Sequence, residues 1–162
     1  MIKLVDILKE INEGKQVGIL YHFTNLFSLM GILETNILKG SNTWNKNEKP
    51  FVSFTRNKNG WGLVSGPGKT VRITIDGNKL SDNYKISPYD MQNLKRWDDT
   101  PLDEMEERVF GNINNITNYI IEIVIQSKEL EKYPHLEDKL KIIYPNYKIL
   151  NKVTRRGKLL DI

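Results

Sequence analysis

Cysteine is missing from all 162 residues, and histidine occurs only as His22 and His135. A disulfide framework, a Cys nucleophile and a Cys- or His-rich structural zinc site are therefore excluded. No apolar run approaches the roughly 20 residues that a bilayer-crossing helix needs. The opening stretch, MIKLVDILKEINEGK, carries Asp6 and Glu10 where a signal peptide requires an unbroken apolar region. Internal repeats and long polar linkers are also missing, so residues 1–162 read as a single domain of ordinary length. Hydrophobic residues at 39% and charged residues at 27% can fill one core and are too apolar for a disordered chain. The expectation is a soluble, intracellular protein with no membrane segment.

Charge of neither sign dominates, with 24 Lys+Arg against 20 Asp+Glu and a formal net charge of +4. Its distribution says more. Residues 139–162 hold seven bases against Asp161 alone, a local +6, while the preceding 17 bases and 19 acids leave −2. Six of those acids, Asp98, Asp99, Asp103, Glu104, Glu106 and Glu107, fall within residues 98–107. The basic segment 139–162 suits nucleic acid or an acidic partner, and equally an ordinary solvated strand and turn. Lys outnumbers Arg 18 to 6, beside 19 Ile and 17 Asn, a bias that points to an AT-rich genome and not to an activity.

Hydrophobic spacing predicts a helix through Leu4, Val5, Leu8 and Ile11, then a buried strand at VGILYH (17–22). Asn25 is placed to cap a helix running to about Glu34, with Leu26, Leu29, Met30 and Leu33 on its apolar face. FVSFT (51–55) and TVRITI (70–75) read as strands, the second closed by the turn signal Asp76-Gly77. Loops are expected over most of 76–101 and a helix from about Leu102. YIIEIVI (119–125) is the clearest strand, followed by a charged helix over 128–142 and short strands near 147–153 and 158–162. Strands and helices intersperse without regular βαβ alternation, so the predicted class is α+β.

One tempting motif fails. In GPGKT (66–70) a phosphate-binding loop would need a glycine where Leu63 stands, and a helix where TVRITI reads as a strand. Three other segments carry more. Tyr21-His22-Phe23-Thr24 ends a buried strand and leads into an amphipathic helix. Ser53-Phe54-Thr55-Arg56 ends a second strand, and Glu104-Met105-Glu106-Glu107-Arg108 precedes YIIEIVI. Each has a plain reading alone: a hydrogen-bonded structural histidine, ordinary strand alternation, and a solvated helix face with a Glu104–Arg108 pair.

In this order the three segments resemble the ADP-ribosyltransferase superfamily, marked by a His or Arg on the first core strand, a Ser/Thr strand and a late Glu. YHFT with its Leu-rich helix and Ile37-Leu38-Lys39-Gly40 is similar to the DarT-type toxins that ADP-ribosylate DNA, and to small phage proteins sharing YHFT, SFTR and EER. The resemblance covers residues 17–125. It implies a split, mostly antiparallel sheet with flanking helices, NAD as substrate, no metal, and a cytoplasmic setting in a bacterium or phage-infected cell. It implies a mono-ADP-ribosyltransferase modifying DNA, RNA or protein, a toxin-like agent of phage–bacterium conflict.

By that resemblance the catalytic carboxylate is the second Glu of Glu104-x-Glu106, with Glu107 the competitor one register away. His22 would meet the adenosine ribose, and the backbone at Phe23 or Thr24 the carboxamide. Ser53 and Thr55 would position the ribose and support the Glu, and Arg56 would face the pyrophosphate or the reacting ribose. Tyr21, Phe54, Trp44 and Trp61 are candidate stacking residues, or core and loop anchors. The alternative is a nucleic-acid-binding or structural phage protein that keeps the fold without catalysis. The acceptor itself is open, with loops 57–69 and 84–101 the segments expected to choose it.

Overall fold

The computed structural model describes residues 17–41, 49–59, 68–89 and 106–151. Along them lie β1 (Ile19–Thr24), α1 (Leu26–Thr35), β2 (Ile37–Leu38), β3 (Phe51–Thr55), β4 (Val71–Asp76), α2 (Gly77–Ser81) and β5 (Ser87–Tyr89). They continue with β6 (Glu106–Phe110), β7 (Ile113–Asn114), a 3₁₀ turn (Ile116–Asn118), β8 (Ile120–Gln126), α3 (Ser127–Lys132), α4 (Pro134–Ile143) and β9 (Lys148–Leu150). Seven strands form one sheet in the order β5-β6-β3-β1-β4-β8-β9, antiparallel except for β8–β9, and β2 pairs separately with β7. The class is α+β, as expected, with a mixed but mostly antiparallel sheet. The expected helix near residues 4–11, the strand near 158–162, and Trp44, Trp61 and Glu104 lie outside the described residues.

Strand alternation gives the sheet two unlike faces. One carries Leu20, Val52, Phe54, Ile73, Val109 and Ile123, all buried in the main core. Helix α1 supplies the other side of that core through Leu26, Leu29, Met30, Ile32 and Leu33. Its start is set as the sequence predicts: the Asn25 side chain accepts the Ser28 N–H at 2.8 Å. Leu140 brings α4 into the same core, fully buried, and a Lys139–Glu34 ion pair and a Phe27–Tyr133 edge contact join the two helices outside it.

Three sequence expectations are corrected. Asp76-Gly77 ends the strand as expected but starts a helix in place of a loop; the Asp76 side chain accepts the Lys79 N–H at 3.0 Å and caps α2. The helix expected from Leu102 is not helical where it is described, because 106–110 form β6, whose pairing with β3 overrides the local pattern. The charged helix over 128–142 is two helices, broken at Tyr133, because Pro134 has no N–H to continue α3 and instead starts α4.

Gly77 is held by closeness. Its N–H donates to the Gly18 carbonyl at 2.8 Å, and a Cβ would come within 2.5 Å of that oxygen and 2.8 Å of Val17 Cγ1. Gly77→Ala is therefore expected to destabilise the fold by about 1–3 kcal/mol, read as a lower urea midpoint with unchanged slope.

Candidate functional site

The three chemistry-bearing segments, far apart in the chain, become adjacent strands: β6 beside β3 beside β1. The ladders between them are unequal. β1 meets β4 at six positions, Ile19–Thr24 against Val71–Asp76, yet meets β3 only at Tyr21 opposite Thr55. β3 is fully paired with β6, from Phe51 opposite Phe110 to Thr55 opposite Glu106. The sheet is therefore loosely joined along one seam, between β1 and β3, and His22 and Ser53 lie on its two sides.

His22 bridges that seam. Its Nδ1–H donates to the Ser53 carbonyl at 3.0 Å, and its ring meets Phe54 edge-on at 6.0 Å between centroids. A carbonyl can only accept, so the proton sits on Nδ1 and Nε2 of the neutral ring presents a lone pair. Burial pushes the ring from its ordinary 6.5 down to about 4, with Lys69 adding to the effect and the Ser53 bond opposing it. At neutral pH His22 is therefore uncharged.

Ser53 also works toward β6. Its Oγ donates to Glu106 Oε1 at 2.8 Å, and Arg108 Nε donates to the same oxygen at 3.0 Å. Glu106 and Arg108 share the polar face of the sheet with Ser53 and Thr55. Glu107 points the other way, with Phe54 and Val109. There Arg56 holds it as an ion pair, Nε donating to Oε1 at 2.7 Å and Nη2 lying 2.6 Å from the same oxygen without a hydrogen bond to it. The two adjacent glutamates thus live in different environments, one hydroxyl-bound on the polar face, the other paired with Arg56 at the edge of the core.

The remaining predicted residues divide between the faces. Tyr21 lies on the polar face with the Arg72 guanidinium 5.5 Å from its ring centre. Phe23 is buried on that face against Val124. Thr24 is buried on the core side, its carbonyl accepting the Thr70 N–H at 2.9 Å. Thr55 is buried with its Oγ1 accepting the Asn57 N–H at 3.0 Å, so it shapes the turn after β3. The predicted set is thus not gathered on one side: Tyr21, Phe23, Ser53, Thr55 and Glu106 share one face, whereas His22, Thr24 and Glu107 share the other.

The polar face continues across the sheet. Glu106, Thr55, Tyr21, Thr74 and Glu122 stand in register on five successive strands. At its far end Glu122 receives Arg72 Nη2 at 3.2 Å and Lys148 at 2.6 Å. Burial alone would raise the Glu122 carboxyl, but Lys148 and Arg72 outweigh it and hold the group below its ordinary range. Arg72 and Arg108, both buried, were missed by sequence reasoning. The one available signal was an arginine alternating with the core-facing residues of a largely apolar strand, as Arg72 does with Val71 and Ile73.

The basic segment is partly neutralised within the chain. Lys139 pairs with Glu34, Lys141 with Glu137 at 3.0 Å, and Lys148 with Glu122. Lys152, Arg155, Arg156 and Lys158 lie outside the described residues. Among the described residues no group of three or more His, Asp or Glu is placed to hold a metal ion, and no helix is long and apolar enough to cross a membrane. No protein-family model matches the chain, and no curated protein matches it either.

His22 makes stability depend on pH with a definite sign. Above about pH 6.5 the ring is neutral in folded and unfolded chains alike; between 6.5 and about 4 only the unfolded chain takes up the proton. Stability should fall across that window by about 1–3 kcal/mol on account of this residue, the lower end reflecting the ring's partial exposure. Urea titrations of wild type and His22→Gln from neutral to mildly acidic pH should show the stability difference between them shifting against the wild type as the pH falls; a constant difference would contradict this.

Proposed function

We propose that the protein is an NAD-dependent mono-ADP-ribosyltransferase and that Glu106 is its catalytic carboxylate. The observation that carries the reading is the 2.8 Å hydrogen bond from Ser53 Oγ to Glu106 Oε1, between the middle Ser/Thr strand and the late glutamate. A transferase of this kind cleaves the bond between the ribose C1′ and the nicotinamide nitrogen. Nicotinamide leaves with the bonding pair, the sugar passes through an oxocarbenium-like state, and a nucleophile on the acceptor takes C1′ and loses its proton. A carboxylate held in one orientation near the sugar stabilises that charge as it develops.

Other features agree. The strands bearing His22, Ser53 and Glu106 are neighbours in the order β1, β3, β6, and the ladder between β1 and β3 is reduced to one position. A finer likeness to the split sheet of the superfamily rests on that interruption. Neutral His22 offers Nε2 as an acceptor, unsuited to a phosphate oxygen, which has no hydrogen to give. Standing on the sheet face opposite Glu106, it is assigned to the distal adenosine ribose and not to the reacting ribose. Glu106 is favoured over Glu107 because it shares the polar face with Ser53 and bonds its hydroxyl, whereas Glu107 stands on the core side with Phe54 and pairs with Arg56. Arg56, on this reading, supports the strand pair through Glu107, and no step is assigned to it.

The acceptor is a macromolecule (DNA, RNA or protein) in the cytoplasm of the cell where the protein is made. Purified protein given isotopically labelled NAD and cell lysate should release nicotinamide and label an acceptor detectable by mass spectrometry. Glu106→Gln should lower release by about 10²–10³-fold. Release no greater in wild type than in Glu106→Gln would sink the assignment.

A further inference from the structure

We infer that Arg108 is a positioning residue: together with Ser53 it pins Oε1 of Glu106 and leaves Oε2 to face the substrate. Ser53 and Arg108 stand opposite each other on β3 and β6, and both give a hydrogen to the same oxygen, at 2.8 and 3.0 Å. Among the described residues Oε2 receives no hydrogen bond. A carboxylate tied through one oxygen keeps its plane while the other oxygen stays available, which is what differential binding of a cationic sugar requires.

An exposed Arg–Glu pair would not hold this geometry, because long side chains at the surface exchange partners at little cost. This pair is different. The side chains of Arg108 and Glu106 are only 10% and 12% exposed. The Arg108 guanidinium carbon sits 3.8 Å from the centre of the Phe51 ring, and that ring is itself braced edge-on by Phe110 at 6.2 Å. Stacking on Phe51 fixes the guanidinium plane, so Nε is delivered from one direction; lysine, a flexible point charge, could not reproduce it. Residues i and i+2 of a strand share a face, which puts the arginine beside the glutamate it orients.

The kinetic part of this inference rests on the ADP-ribosyl transfer reading, and its structural part does not. Two measurements on the full chain separate them: steady-state nicotinamide release, and three-bond NMR couplings of Glu106, which report whether its χ1 stays in one rotamer. Wild type should show a single rotamer, and Arg108→Gln an averaged one. Arg108→Gln should lower kcat by about 10²-fold with KM for NAD changed less than about threefold, and Arg108→Lys should recover under a tenth of the loss. Phe51→Leu, which keeps both charged groups and provides a second variant should Arg108→Gln fold poorly, should lower kcat by about threefold to tenfold and broaden the Glu106 rotamer distribution. Unchanged kcat in Arg108→Gln, or a raised KM at unchanged kcat, would overturn the inference, as would unchanged Glu106 couplings. A wild type that releases no nicotinamide, yet loses its single Glu106 rotamer in Arg108→Gln, would remove the transfer reading and leave the positioning role standing.

Discussion

Strands β1 and β3 meet at one register position, Tyr21 opposite Thr55, and the candidate site is built around what the sheet lacks beyond it. A continuous antiparallel ladder would satisfy the backbone groups on both strands; an interrupted one requires substitutes. The His22 ring is such a substitute, donating to the Ser53 carbonyl across the seam. Ser53 then passes the constraint on, its hydroxyl holding Glu106 on the far strand. One residue thus couples a histidine and a glutamate that are 84 positions apart in the chain.

The two faces of the sheet divide the labour. The face under α1 is apolar and supplies the core, so the strands are rigidly placed. The opposite face carries Arg72, Arg108, Glu106 and Glu122 beside Tyr21, Phe23, Phe51 and Val124, an arrangement that costs desolvation unless each charge finds a partner. Each does: Arg108 with Glu106, Arg72 with Glu122, and Lys148 reinforcing Glu122. A fold seeking stability alone would more simply bury hydrocarbon there. Retention of buried, mutually oriented charges beside a seam in the sheet is the pattern expected of a site that needs fixed electrostatics.

Much of this was legible in the residues. Asn25 as a cap, FVSFT as a strand and the α1 apolar face all follow from local rules, because short-range geometry decides them. The motif-bearing segments were legible too, as a histidine, a Ser/Thr strand and an acidic run at strand ends. Arg108 was misread as the i+4 partner of Glu104 on a helix, because a run of charges carries no register until a neighbour imposes one. Pairing with β3 imposes the strand period of two, and with it the separation of Glu106 from Glu107 onto opposite faces. The same shift from local to long-range control turned Asp76-Gly77 from a loop turn into a helix start, since Gly77 packs against Gly18.

Sequence alone determined the class of the fold, strands β1, β3, β4 and β8, helix α1, and the absence of thiol chemistry, because composition and nearest-neighbour periodicity act through local backbone and side-chain preferences. Tertiary structure decided which carboxylate sits beside Ser53, which arginine serves each glutamate, and that the predicted residues divide between two faces of one sheet. Those outcomes depend on register between strands more than 50 residues apart, as Thr55 and Glu106 are, and no local pattern encodes such a register. The acidic run that looked like one solvated surface in the chain became, in the folded sheet, one carboxylate held by a hydroxyl and another held by an arginine, because adjacent residues of a strand must point in opposite directions.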